Sequence, residues 1–333
     1  MIKDYFQLAQ EQGGTPKSTA KRILTQTLRA ALAIAPIVWI YARTSAAAFR
    51  EDLASVSVPL IAAVLALIFV NMLLQGVKWW TLIRRFVPGL KLRRAVAVHL
   101  ESAFYSIMLP AAAQDVVKSV MLSKSHSPSV VWAASWLARL MGFFSLLIIS
   151  AAGIIYLDSG VLPNGFRASL VTAVAAIAVL GAASFSKSVT RPLRAAAAKI
   201  LSPGILGKIE KLREGIYVFK YERATLVQTF LISTVTQFLT IFNASLLVYA
   251  VSGSFYFTEC LAFVPLVEIM AISLPLTPGG IGIREALMAI LFTRLGLSGG
   301  QIASYVTISL LGSMVRILGG IPALYRIVVR RKQ

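Results

Sequence analysis

The chain has 333 residues, 57% apolar and only 14% charged, with mean hydropathy +0.77, whereas a soluble domain carries about 25% charged residues; this excludes a soluble globular protein and predicts an all-α polytopic membrane protein. One cysteine, Cys260, rules out an intramolecular disulfide and a CxxC arrangement, and His99 and His126 are too few for a His-based metal site, so no metal or other cofactor is expected. The formal charge of +20 does not point to nucleic acid, because the basic residues fall between apolar spans, where they favour the anionic cytoplasmic leaflet.

Residues 1–24 are polar and basic and read as a cytoplasmic N-terminal segment. A first span is predicted over 25–42. Ala46-Ala47-Ala48 behind it mimics a signal-peptidase site, but the long basic lead and long apolar segment favour a retained span. Further spans, each near the roughly twenty residues that cross the hydrocarbon, are predicted at 54–77, 129–157, 168–186, 224–251 and 303–325. Two more apolar segments are broken inside: 95–123 by Pro110, and 256–298 by Pro275, Pro278, Gly279 and Gly280. Each reads as a re-entrant hairpin that enters and leaves on one side. The basic stretch 187–223 reads as a pair of interfacial amphipathic helices broken near Pro203-Gly204, and 326–333 as a basic cytoplasmic tail. Residues 25–325 thus form a single transmembrane domain of about six full spans and two hairpins. Trp39, Trp79, Trp80 and Tyr325, near span ends, read as interface anchors.

Lysine and arginine positions orient the chain. With both termini cytoplasmic, the inside segments collect Lys17, Lys21, Arg22 and Arg29, then Lys78, Arg84, Arg85, Lys91, Arg93 and Arg94. They also collect nine basic residues between Lys187 and Arg223, and the tail. The outside loops hold only Arg43, Arg50, Arg167 and Arg294. This bias appears only if each broken segment is a hairpin rather than a crossing. The expected location is the cell inner membrane.

The same arrangement is an inverted repeat, about 54–157 against 224–325: a span, a hairpin and a span, run in opposite directions. Ser106-Ile107-Met108-Leu109-Pro110 resembles Ile272-Ser273-Leu274-Pro275, and Arg139-Leu140-Met141-Gly142 resembles Arg316-Ile317-Leu318-Gly319. Inverted repeats with broken helices meeting near the midplane are a recurring transporter architecture.

Polar residues inside these segments are expensive in lipid and point to a site. The first hairpin brings Glu101, Gln114, Asp115 and Lys118, the second Glu268, Arg284 and Glu285, and the following spans Arg139 and Arg316. Arg139, Arg284 and Arg316, with Gln114, Asp115 and Lys118, suit an anionic substrate, since guanidinium matches phosphate geometry. Glu101, Glu268 and Glu285 are candidates for proton coupling or ion pairing, and Pro110, Pro275, Pro278, Gly279 and Gly280 for shaping the loops. A structural reading stands beside this one: Asp115 and Lys118, three apart on a helix, are placed to pair with each other, and Arg284 and Glu285 to sit at a hairpin surface. Asn71, Gln75, Gln237 and Asn243 read as interhelical hydrogen-bonding groups.

Pro278-Gly279-Gly280-Ile281-Gly282-Ile283-Arg284-Glu285-Ala286 closely resembles a signature of the flippase-like transmembrane domain of lysylphosphatidylglycerol synthase, the multiple peptide resistance factor, and its stand-alone relatives. The resemblance spans roughly 54–325. Leu109-Pro110-Ala111-Ala112-Ala113-Gln114-Asp115-Val116-Val117-Lys118 keeps that family's Leu-Pro, Asp and basic positions but has Ala113-Gln114 where a glycine pair stands. The resemblance implies movement of phospholipids or polyprenyl-linked lipids between leaflets, with Asp115, Arg284 and Glu285 carried over as site residues. The expected partners are membrane lipids, anionic ones above all, with room for a separate lipid-modifying enzyme. The chain ends just after the last span, so lysyl transfer is not expected of it. An integral-membrane enzyme acting on a lipid-linked phosphate or sugar, or a non-transporting partner of an enzyme, is the alternative. No G-x-x-x-x-G-K-[ST] loop is present to bind a nucleotide.

Overall fold

The computed structural model describes residues 16–108, 113–123, 126–156, 165–185, 190–191, 195, 202–273, 277 and 280–324. The expectations for Pro110, Pro275, Pro278, Gly279, Tyr325 and residues 326–333 lie outside them. Among the described residues the chain is all α-helical, with twelve α-helices and three short 3-10 segments. The first four helices are α1 (Pro16–Ala42), α2 (Ala46–Ser55), α3 (Val58–Ile83) and α4 (Leu92–Tyr105). They are followed by α5 (Ala113–Ser123), α6 (Pro128–Tyr156), α7 (Phe166–Phe185) and α8 (Pro203–Val218). The last four are α9 (Arg223–Ser252), α10 (Phe257–Ser273), α11 (Ile283–Arg294) and α12 (Gly299–Met314), the last continuing through a 3-10 segment, Val315–Gly319, to Leu324.

Four of these helices are long and apolar enough to cross a membrane: Val58–Ile83, Pro128–Ile155, Arg223–Ser252 and Gly299–Leu324. A fifth crossing counts if α1 and α2, bent by 96° at their junction, are taken as one broken span. The helix α7 occupies the predicted span 168–186. Both interrupted segments fold as two shorter helices about the expected break, α4 and α5 in the first and α10 and α11 in the second. At 1.5 Å per residue, α5 and α11 extend only about 18 Å, short of the roughly 30 Å of hydrocarbon. The succession of a long helix, two short helices and a long helix therefore occurs twice.

Three local expectations are corrected. The segment read as an outside loop holds α2, because Ser45 caps it, accepting from the Ala48 N–H at 3.4 Å, and three alanines propagate it. The predicted span ending at residue 77 continues to Ile83, which carries Lys78 into the interior, where it is only 6% exposed. Trp79 is fully buried rather than placed at an interface, and its indole N–H donates to Ser135 Oγ at 3.1 Å. Trp39 does remain half exposed. At Pro203-Gly204, where a break between two helices is expected, α8 begins, with proline in its first turn, where its missing N–H costs nothing.

Packing joins the two halves. The long helices α3 and α9 lie side by side, and Asn71 Nδ2 donates to Thr240 Oγ1 at 2.9 Å between them. The 3-10 turn after α12 rests on α4, and α10 packs on α6, where Gly153 lets the Ala262 backbone approach; a Cβ there would stand 2.7 Å from Ala262 N. Close approach at small residues is how helices associate in lipid, where apolar contact alone gives little driving force. One apolar cluster gathers Phe263, Phe292 and Tyr305 with much of α9–α12, and a second gathers Trp79, Leu137 and Phe219 in the first half.

Candidate functional site

A cavity of about 360 Å³ lies among α3, α4, α5, α6, α9, α10, α11 and α12, the helices of both predicted repeats. Among the described residues its wall takes nothing from α1, α2, α7 or α8. On α3 the lining residues recur at helical spacing, with apolar Val64 and Ile68 giving way to Asn71, Gln75 and Lys78. On α12 and the turn after it, Tyr305, Ser309, Gly312, Ser313 and Arg316 do the same. Among the described residues, five basic side chains, Lys78, Lys118, Arg139, Arg284 and Arg316, line the cavity against two carboxylates, Asp115 and Glu268. Leu67, Leu247, Val264 and Val267 add apolar wall beside this polar part.

The first polar cluster is built on α5. Asp115 stands in its first turn, where the helix dipole favours a negative charge. Its carboxylate takes Lys118 Nζ at 2.5 Å on one oxygen and Arg139 Nε at 2.5 Å on the other, with the Arg139 Nη2 group on that second oxygen as well. The pairing expected from three-residue spacing is therefore present, but Arg139 from α6 joins it. Lys118 is buried, its ammonium 5.4 Å from the centre of the Trp79 ring. Gln114 Nε2 donates to His99 Nε2 at 3.3 Å, which leaves the imidazole proton on Nδ1; Nδ1 is buried without a partner among the described residues. Lys78 has no hydrogen bond or ion pair among the described residues. Its ammonium lies beside Gly142, near the amide of Gln237, with Asp115, Lys118 and Arg139 as its charged neighbours.

The second cluster is built on α11. Arg284 donates to Glu285 Oε1 through Nε at 3.2 Å and Nη2 at 3.1 Å, to Ser313 Oγ at 3.1 Å, and lies 3.8 Å from Glu268. Glu285, 1% exposed, turns back to cap its own helix, its Oε2 accepting the Gly282 N–H at 2.7 Å and its Oε1 the Ser309 hydroxyl at 3.3 Å. It is not among the cavity-lining residues, and it is an internal group rather than one at a hairpin surface. Arg316 lines the cavity without a hydrogen bond or ion pair among the described residues, with Arg284, Glu268 and Glu285 as its charged neighbours. Gly280 and Gly282 carry the turn into α11 with φ of +78° and +88°, values that suit glycine.

The structure thus brings Gln114, Asp115, Lys118, Arg139, Glu268, Arg284 and Arg316 to one cavity. Glu101 is buried on α4 but does not line it. Asn71, Gln75, Gln237 and Asn243, read as interhelical groups, do line it, and the Oδ1 atoms of Asn71 and Asn243 are buried with no partner among the described residues. Sequence reasoning missed Lys78, His99, Ser309 and Ser313 as lining groups. A signal for Lys78 existed in the spacing of Asn71, Gln75 and Lys78 along one face of α3.

The family model of the lysylphosphatidylglycerol synthase transmembrane region matches residues 26–318. The chain belongs to this family. Every cavity-lining residue, from Val64 to Arg316, falls inside the matched region. This member of the synthase transmembrane-region family is a multi-pass membrane protein, and the family points to a membrane lipid-related function; the match is to the transmembrane region. No curated protein matches the chain.

Proposed function

We propose that this protein moves an anionic lipid, a phospholipid or a polyprenyl-phosphate-linked lipid, between the leaflets of the inner membrane. The observation that carries the reading is the cavity: basic groups from both halves of the chain surround it, and an apolar wall continues from them. A headgroup would enter between the two hairpins while the chains stay in lipid. That path spares the phosphate the cost of crossing hydrocarbon, which for a charged side chain is about 3 kcal/mol on insertion scales and more in isolation. A cavity of this size, near the lower end of the roughly 300–1,000 Å³ of small-molecule pockets, suits a headgroup rather than a whole lipid.

The transmembrane domain, 25–325, works in this reading as two inverted halves, 54–157 and 224–325, with both termini and the basic segment 187–223 on the cytoplasmic side. Rocking one half against the other would open the same charges to each side in turn. Arg139, Arg284 and Arg316 hold the phosphate; Asp115 and Glu268 keep arginines in place when the cavity is empty. Reconstitution into liposomes with fluorescent anionic, zwitterionic and polyprenyl-phosphate lipids tests this, with exchange followed by quencher accessibility. Protein-dependent exchange of an anionic lipid, lost in Arg139→Ala and Arg284→Ala, is expected. Absence of exchange for every lipid, with and without a pH gradient, would remove transport and leave an enzyme or its membrane partner.

A further inference from the structure

The two halves of the cavity are not electrostatically equal. In the second, Arg284 and Arg316 face Glu268 and Glu285, and the charges balance. In the first, Lys78, Lys118 and Arg139 face one carboxylate among the described cavity-lining residues, Asp115, which Lys118 and Arg139 already occupy. Two positive charges remain over, and Lys78, more than nine-tenths buried, has no hydrogen-bonding or ion-pair partner among the described residues. An ammonium without a partner at that depth is relieved either by an anion drawn to it or by giving up its proton, and a bound oxyanion favours the charged form. Beside Lys78 the cavity-lining Gln237 amide is not fully used, its bond to the Gly142 carbonyl being long at 3.5 Å. The Lys78 ammonium and this amide, with Lys118 and Arg139 on the same wall, match an oxyanion carrying more than one charge.

We propose that the first-half cluster is a phosphate-monoester subsite, with Lys78 as its selecting residue, and that the group recognised is a terminal phosphate bearing close to two negative charges. A phosphodiester headgroup carries one charge and no terminal oxygens beyond its two. A monoester has three acceptor oxygens and a second ionisation near pH 6, so at neutral pH it answers both surplus charges. The inference rests on the transport reading only for the lipid part of the ligand. The charge chemistry is common to a lipid monoester and a soluble phosphate.

The test is binding to the purified full chain in nanodiscs of zwitterionic lipid at pH 7. The probes are phosphatidic acid as lipid monoester, phosphatidylglycerol as lipid diester, and glycerol 3-phosphate as soluble monoester. Phosphatidic acid is expected to bind at least about tenfold tighter than phosphatidylglycerol, since one extra charge-assisted bond is worth that much or more. Lys78→Gln should shrink the preference to below about threefold, and Lys78→Arg should keep most of it. Equal affinity of the two lipids in the wild type overturns the proposal without any variant, so a poorly folded Lys78→Gln cannot rescue it. A preference that persists unchanged in a folded Lys78→Gln also overturns it. Glycerol 3-phosphate binding as tightly as phosphatidic acid keeps the dianion subsite and assigns it a soluble ligand. Monoester preference without leaflet exchange in liposomes upholds the subsite and removes transport, whereas exchange without preference does the reverse.

Discussion

Asp115 holds two cations at once, and its replacement separates the electrostatic role of the first cluster from its shape. Asp115→Asn keeps the volume and removes the charge that Lys118 and Arg139 share. Because these groups are partly solvated, a stability loss of about 2 kcal/mol is expected, below the 3–5 kcal/mol of a fully buried broken pair. Lipid transfer should fall more than tenfold, since unpaired Lys118 and Arg139 would hold an anion too tightly to release it. Glu285, by contrast, belongs to the fold. Glu285→Gln should lower stability by about 1–3 kcal/mol through lost charge-assisted bonds to Gly282, Arg284 and Ser309, read as a lower melting temperature in detergent; an unchanged melting temperature would place that carboxylate outside the cap. The arginines and the Asp115–Lys118 pair were legible in the sequence, because charge inside an apolar run needs a reason. Lys78 was not, because it lies at the edge of such a run beside Trp79 and Trp80, where charge counting assigns a lysine to the cytoplasmic loop. The spacing from Asn71 and Gln75 becomes decisive once α3, packed on α9 and α4, is seen to run on to Ile83 and carry Lys78 inward.

Among the elements, the two broken segments were the most legible, since proline and glycine in an apolar stretch leave backbone groups that lipid cannot satisfy. The short helix α2 was not, because its alanines and its Ser45 cap look like any polar connection until α12 is there to receive it. The start of α11 shows how tightly these elements are set. Gly282 has φ +88°, and a Cβ there would run into the Ala33 carbonyl of α1. Gly282→Ala should therefore cost more than the about 1–2 kcal/mol of left-handed strain. It should also loosen α1 from α11, seen as a lowered melting temperature together with faster protease cleavage of the first helix. Wild-type values of both would mean that α1 does not bear on the hairpin. In the same way, Gly153→Leu should force α6 and α10 apart, because the Ala262 backbone occupies the space its side chain needs.

For the whole molecule, polytopic helical architecture followed from composition, and the family match over residues 26–318 agrees with the resemblance seen in the motif of the second broken segment. What composition could not supply is the meeting of distant segments: Lys78, Arg139 and Arg316 share one cavity although hundreds of positions separate the first from the last. Charge and shape there can be tested apart. Met72 lines the cavity on α3 and carries no charge. Met72→Trp would fill part of the space while leaving every basic residue and carboxylate in place. The most direct measurement is leaflet exchange of a fluorescent anionic lipid in liposomes containing wild-type protein or Met72→Trp, each first shown to be folded by its melting temperature. The cavity account predicts protein-dependent exchange in the wild type and its loss, at least about tenfold, in the filled variant. Exchange at the wild-type rate through a folded Met72→Trp would contradict it, because the headgroup would then be crossing somewhere else.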